Sequence, residues 1–167
     1  MTYFWLGLLA LVVAFLAVIL IRALRFKPRA TQAAAVEEAA VDGQKAIDNL
    51  AEMIRCKTVS YYDDEKIDHA EFQKFRALIK KLYPTVFHKA SYEEIGPSGI
   101  LFTLKGKSAE QPAVFMAHYD VVPVNEEGWS KPAFEGIIED GVLWGRGTLD
   151  TKCTLLGVLE AAEHLLQ

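Results

Sequence analysis

Ala113–Lys152 reads AVFMAHYDVVPVNEEGWSKPAFEGIIEDGVLWGRGTLDTK, and the rest of the chain is best read outward from it. It opens with five apolar residues, Ala113 to Ala117, a run short enough for a strand buried on both faces of a sheet. That run delivers His118 and Asp120. Side chains alternate along extended backbone, so both leave the same face. An imidazole beside a carboxylate suits a metal ion, with one ring nitrogen on the cation and the acid holding the other. A second apolar piece, Val142-Leu143-Trp144, feeds Gly145-Arg146-Gly147-Thr148 and delivers Asp150. Two strand ends thus present polar chemistry, as at the carboxyl edge of open α/β sheets.

The frame around the pair is more specific than the pair. His118-Tyr119-Asp120-Val121-Val122-Pro123 is followed by Trp129, Pro132, Phe134, Gly136 and Asp140-Gly141. Then comes Gly145-Arg146-Gly147-Thr148-Leu149-Asp150-Thr151-Lys152. This pattern resembles the M20 metallopeptidase family, and most closely its carboxypeptidase S and N-acyl-amino-acid hydrolase branch. The resemblance runs from Ala46 to Leu166. It implies an α/β fold in which residues 41–167 form the N-terminal part of a zinc-exopeptidase-like catalytic domain, a mixed sheet flanked by helices. It also implies site roles. His118 would bind one zinc ion and Asp150 would bridge two. Asp120 would be the catalytic-site acid that orients the histidine. The Asp150–Thr151 peptide bond would be cis, although this chain has Thr151 where the family often has a second acid. A core histidine beside a surface acid would account for His118 and Asp120 but not for the GRGTLDTK segment.

In the family, a Glu-Glu pair downstream of the bridging aspartate supplies the general base and a further ligand, and an acidic ligand and a distal histidine follow. No adjacent glutamates follow Asp150 here; Glu37-Glu38, Glu93-Glu94 and Glu126-Glu127 all precede it. The expectation is an M20-type hydrolase that cleaves an amide bond of peptides or N-acyl amino acids through a water activated by two zinc ions. On this reading these residues are an inactive fragment of it. The alternative is a truncated, non-catalytic, membrane-anchored binding protein. A homodimer would form through an inserted domain not contained in this sequence.

Tyr3 to Ile21 carries no charge over 19 residues. As a helix rising about 1.5 Å per residue it spans roughly 28 Å, close to the hydrocarbon thickness of a bilayer. No basic residue precedes it, and the run is long for a signal peptide; Ala33-Ala34-Ala35 could imitate a cleavage site but lies far beyond it. Residues 1–29 are therefore read as a single-pass transmembrane anchor with a basic collar of Arg22, Arg25, Lys27 and Arg29, and residues 30–40 as an Ala-rich linker. The one-sided collar places the body in the cytoplasm by the positive-inside rule, whereas several relatives on this branch work in the vacuole or outside the cell. With the collar set aside, 14 basic groups face 22 acidic ones, a formal charge of −8 over residues 31–167. Such a body offers no footprint for nucleic acid, and the collar suits phospholipid headgroups.

Between anchor and site, Ile47, Leu50 and Ile54 recur at helical spacing, and Thr58-Val59-Ser60 breaks the pattern. Asp68 with Glu71 resembles a capping box opening a helix whose face is Phe72, Phe75, Ile79 and Leu82, stopped by Pro84. Gly96-Pro97-Ser98-Gly99 is a turn before a strand over Ile100–Leu104, and Asp140-Gly141 signals a tight hairpin. Gly106-Lys107-Ser108 is not a phosphate loop, since Leu101 stands where the upstream glycine is required. From Cys153, the residues Leu155, Leu156, Leu159, Ala162, Leu165 and Leu166 make one apolar helix face. Cys56 and Cys153 are expected as free thiols, Cys153 as small buried filler, and His69, His88 and His164 as surface or boundary residues.

Overall fold

The computed structural model describes residues 1–27, 41–108 and 110–167, which fall into two compact units, Met1–Ala40 and Val41–Gln167. The first contains helix α1, Thr2–Arg25, which has no buried residue and whose 18-residue apolar stretch has a mean hydropathy of 3.0. It is long and apolar enough to cross a membrane, a test that a signal sequence also passes. Arg22 and Arg25 occupy its last turn, where positive charge complements the helix dipole. Arg29 of the collar and the linker expected over residues 30–40 lie outside the described residues.

In the second unit, α2 covers Gly43–Ile54, α3 His69–Leu82, α4 Pro84–Lys89 and α5 Cys153–Leu166. Asp42 caps α2 by accepting from the Lys45 amide, and Asp68 caps α3 by accepting from the Ala70 amide. The capping box on α3 does not close. Glu71 turns away to accept from the Lys57 amide at 2.6 Å and from Lys74, and so ties the start of α3 to the exit of α2. Pro84 does stop α3, but it also sits in the first turn of α4, a helix the sequence pattern did not reveal. Glu163 of α5 supplies the missing cap from across the fold, accepting from the Thr85 amide at 3.0 Å and the Val86 amide at 2.9 Å.

The core gathers on α3. Phe72, Phe75 and Ile79 are buried with Met53, Cys56, Tyr83, Val86, Tyr119 and Leu159, and Leu82, Leu155, Leu156, Ala162 and Leu166 pack around them. Phe75 stacks on Tyr119 with ring centroids 4.6 Å apart, so the residue after His118 is pinned in the core. Ile47 of α2 and Leu165 of α5 leave their expected apolar faces and are exposed.

Among the described residues the strands form two antiparallel pairs rather than the expected mixed sheet. Strands β1, Ser91–Ile95, and β2, Gly99–Thr103, pair antiparallel across the Gly96–Ser98 turn. Strands β3, Ile137–Glu139, and β4, Val142–Trp144, make a second antiparallel pair. Its turn is Asp140-Gly141, both at positive φ, as a two-residue hairpin requires. Ala113–Ala117 belongs to neither sheet, and Val114, Phe115 and Met116 are 76%, 77% and 83% exposed rather than buried. A strand is stable only when a neighbour takes its amides and carbonyls and a layer covers its side chains. Among the described residues the only parallel contact here is the bridge between Val59 and Val121, just beyond the histidine.

Candidate functional site

Two segments far apart in sequence bring His118 and Asp150 face to face. The first is the extended stretch ending in His118-Tyr119-Asp120-Val121. Tyr119 anchors it in the core, and Thr58-Val59-Ser60 frames it. The Thr58 hydroxyl donates to the Tyr119 carbonyl at 2.5 Å, the Val121 amide to the Thr58 carbonyl at 2.8 Å, and the Ser60 amide to the Val121 carbonyl at 2.9 Å. The second is the irregular turn Thr148–Lys152 between β4 and α5.

The glycines of Gly145-Arg146-Gly147 let that turn approach so closely. A Cβ on Gly145 would stand 2.5 Å from Ile54 Cγ2. One on Gly147, at φ +87°, would stand 2.6 Å from Val121 Cγ1. Lys152 holds the far end. Fully buried, it donates to the carbonyls of Met53 at 2.9 Å and Cys56 at 2.8 Å, at the exit of α2, with its ammonium 5.4 Å from the centre of the Phe75 ring. Burial lowers its pKa to about 8. Thr151 joins the two segments. Its hydroxyl accepts from the His118 amide at 3.1 Å and donates to the His118 carbonyl at 2.8 Å, where a neighbouring strand would otherwise pair. The Asp150–Thr151 peptide bond is cis, as the resemblance implied.

His118 Nε2 lies 3.0 Å from Asp150 Oδ1, and both side chains are exposed. On the other side of the ring, Nδ1 lies 3.0 Å from the Asp120 backbone carbonyl and 3.2 Å from Asp120 Oδ1. Asp120 thus meets the ring with its backbone as well as with its carboxylate. Its second oxygen, Oδ2, accepts from the Ser60 hydroxyl at 2.7 Å. Desolvation alone would lower the His118 pKa, but hydrogen bonds and charge from Asp120 and Asp150 outweigh it and raise the value. Such a site can hold a cation between Nε2 and Asp150, with Nδ1 turned towards Asp120.

Sequence reading singled out His118, Asp120 and Asp150, and the fold brings these three side chains together. It missed Ser60, Thr151 and Lys152 as parts of the site. The signals were present, since Thr58-Val59-Ser60 interrupts the helical pattern and Lys152 closes the GRGTLDTK motif. Their partners, the Asp120 carboxylate for Ser60 and backbone groups for Thr151 and Lys152, lie 33 to 99 residues away, which sequence spacing does not disclose. His69, His88 and His164 are exposed and stand apart from the site. Cys56 and Cys153 are free, Cys56 buried with its thiol pKa raised by desolvation, and Cys153 half-buried with its sulfur 3.2 Å from the Leu149 carbonyl. Among the described residues, no group of three or more His, Cys, Asp or Glu side chains is arranged to hold a metal ion. The donors present, one imidazole and one carboxylate, are chemically suited to zinc but make up half of a four-ligand shell.

Comparison with known proteins bears on this arrangement directly. Residues 114–167 match the family model described as Peptidase family M20/M25/M40. The chain is 41% identical over 116 residues to the N-fatty-acyl-amino acid synthase/hydrolase PM20D1 of Bos taurus, covering 68% of this chain and 23% of that protein. It is 36% identical over 128 residues to the N-fatty-acyl-amino acid synthase/hydrolase PM20D1.1 of Danio rerio, covering 74% and 25%. A carboxypeptidase S-like protein of Dictyostelium discoideum is 33% identical over 121 residues, covering 70% and 23%. The chain spans about a quarter of the length of these curated relatives. The match covers the His118 segment, the Asp150 turn and the helix that follows it, and the chain belongs to the M20 peptidase family.

Proposed function

We propose that this chain carries the first half of a zinc site for amide hydrolysis, with peptides or N-acyl amino acids as the substrate class. The observation that supports the reading is the approach of His118 Nε2 to Asp150 Oδ1 at 3.0 Å, inside a segment matched to the M20 family. His118 would bind one ion through Nε2 while Asp120 holds Nδ1–H, which fixes the tautomer and keeps the lone pair aimed outward. Asp150 would bridge two ions, since a carboxylate offers two oxygens and paired metals stand ~3.5–4 Å apart. Zinc bound there would polarise a scissile carbonyl and lower the pKa of a shared water towards ~7. A general base must then take the water's proton. Adjacent glutamates in this sequence all precede Asp150.

The same reading takes α1 as a membrane anchor with the body on the cytoplasmic side, supported by the apolar length of the helix and by Arg22, Arg25 and Lys27 at its end.

Zinc titration of the whole chain in detergent micelles, followed by calorimetry, tests the site. Weak binding that His118→Ala abolishes is the expected result. Tight binding of two ions, or binding indifferent to His118→Ala, would overturn the ligand assignment.

A further inference from the structure

Ser60 stands outside the His118–Asp150 pair, yet its position is one of the most tightly determined near the site. Its amide donates to the Val121 carbonyl at 2.9 Å, while the Val121 amide donates to the Thr58 carbonyl at 2.8 Å. The residue after Asp120 is thereby locked to both sides of Val59. The Thr58 hydroxyl fixes the residue before Asp120 in the same way. Held by this frame, the Ser60 hydroxyl donates to Asp120 Oδ2 at 2.7 Å. The other carboxylate oxygen, Oδ1, lies 3.2 Å from His118 Nδ1.

A carboxylate turns about its Cβ–Cγ bond through a broad, two-fold energy profile, and a donor on one oxygen narrows that freedom. A hydroxyl donating to an ionised carboxylate makes a short, charge-assisted bond, stronger than one between neutral groups. We propose that Ser60 is a positioning residue of the metal site. It holds Oδ2 of Asp120 so that Oδ1 stays on the His118 ring, and the ring in turn keeps Nε2 directed at the cation and at Asp150. Thr58-Val59-Ser60 thereby becomes the third segment of the site, supplied from the exit of α2. The role rests on the metal reading given above, but the contact that carries it is present without metal.

Two measurements on the whole chain in detergent micelles test it. The chain has four histidines, and with 15N-labelled histidine the Nδ1–H resonance of His118 is assigned by its loss in His118→Ala. Ser60→Ala should move that resonance upfield, towards a weaker hydrogen bond, and Ser60→Thr, which keeps the hydroxyl, should restore it. Zinc affinity should fall about 3–10-fold in Ser60→Ala, less than for the loss of an acid in direct contact with the ligand. It should not fall further when Ser60→Ala is added to Asp120→Ala. An unmoved ring resonance, or a Ser60→Ala penalty that persists in the Asp120→Ala background, would overturn the role. Absence of zinc binding by the wild-type chain would count against the metal reading alone, and the ring resonance would still decide for or against Ser60.

Discussion

Asp120 divides its work among three groups: its carbonyl and Oδ1 face the His118 ring, and Oδ2 takes the Ser60 hydroxyl. Asp120→Ala removes the carboxylate but leaves the backbone carbonyl at 3.0 Å, so the ring keeps one of its two acceptors. Zinc affinity should therefore fall about 10–100-fold without disappearing, as is usual for acids behind a metal-bound histidine. Calorimetric titration of the variant beside the wild type measures this. Gly147 is decided by backbone rather than by chemistry. At φ +87° an alanine is strained, and its Cβ would press on Val121. Gly147→Ala should cost about 1–3 kcal/mol, read by urea denaturation, and should loosen the approach of Asp150 to His118.

At the scale of elements, α4 depends on a group from α5. Burial pushes the Glu163 carboxyl upward, but hydrogen bonds from Thr85 and Val86 outweigh it and leave its pKa below the ordinary value. Stability from this cap is fully present above the unfolded carboxyl pKa of about 4.3 and is lost as pH falls through the folded value. Denaturation curves of wild type and Glu163→Gln should thus differ at pH 7 and converge as pH falls below the ordinary carboxylate range. Ala113–Ala117 gives the opposite kind of prediction. If this run were the buried strand its composition suggests, Phe115→Ala would cost about 3–5 kcal/mol. With Phe115 exposed, the same change in this chain should stay within about 0.5 kcal/mol, by the same measurement.

For the whole molecule, the charge arrangement makes a prediction about topology. In this sequence no basic residue precedes α1, and Arg22, Arg25 and Lys27 follow at once; with α1 as the proposed anchor, the positive-inside rule would direct the end bearing them to the cytoplasm. A reporter active only after export, fused at Gln167, should be silent in cells. Strong reporter activity would show that α1 delivers the body across the membrane instead.

The sequence by itself determined what depends on neighbours along the chain. Periodicity and caps placed α2, α3 and α5, the Asp140-Gly141 turn placed the β3–β4 hairpin, and the resemblance carried by the motif marked His118, Asp120 and Asp150 as residues that meet. Only the tertiary structure decided the rest. Whether the apolar run before His118 becomes a paired strand depends on partners that spacing cannot name, and here the Thr151 hydroxyl takes the His118 backbone groups. Glu71 accepts from the Lys57 amide instead of closing its local cap, and the first turn of α4 is capped by Glu163 reaching across from α5. Lys152 is buried although it is a lysine, because its ammonium donates to two carbonyls at the end of α2. In each case a backbone group distant in sequence must be satisfied, and the folded chain selects the side chain that satisfies it.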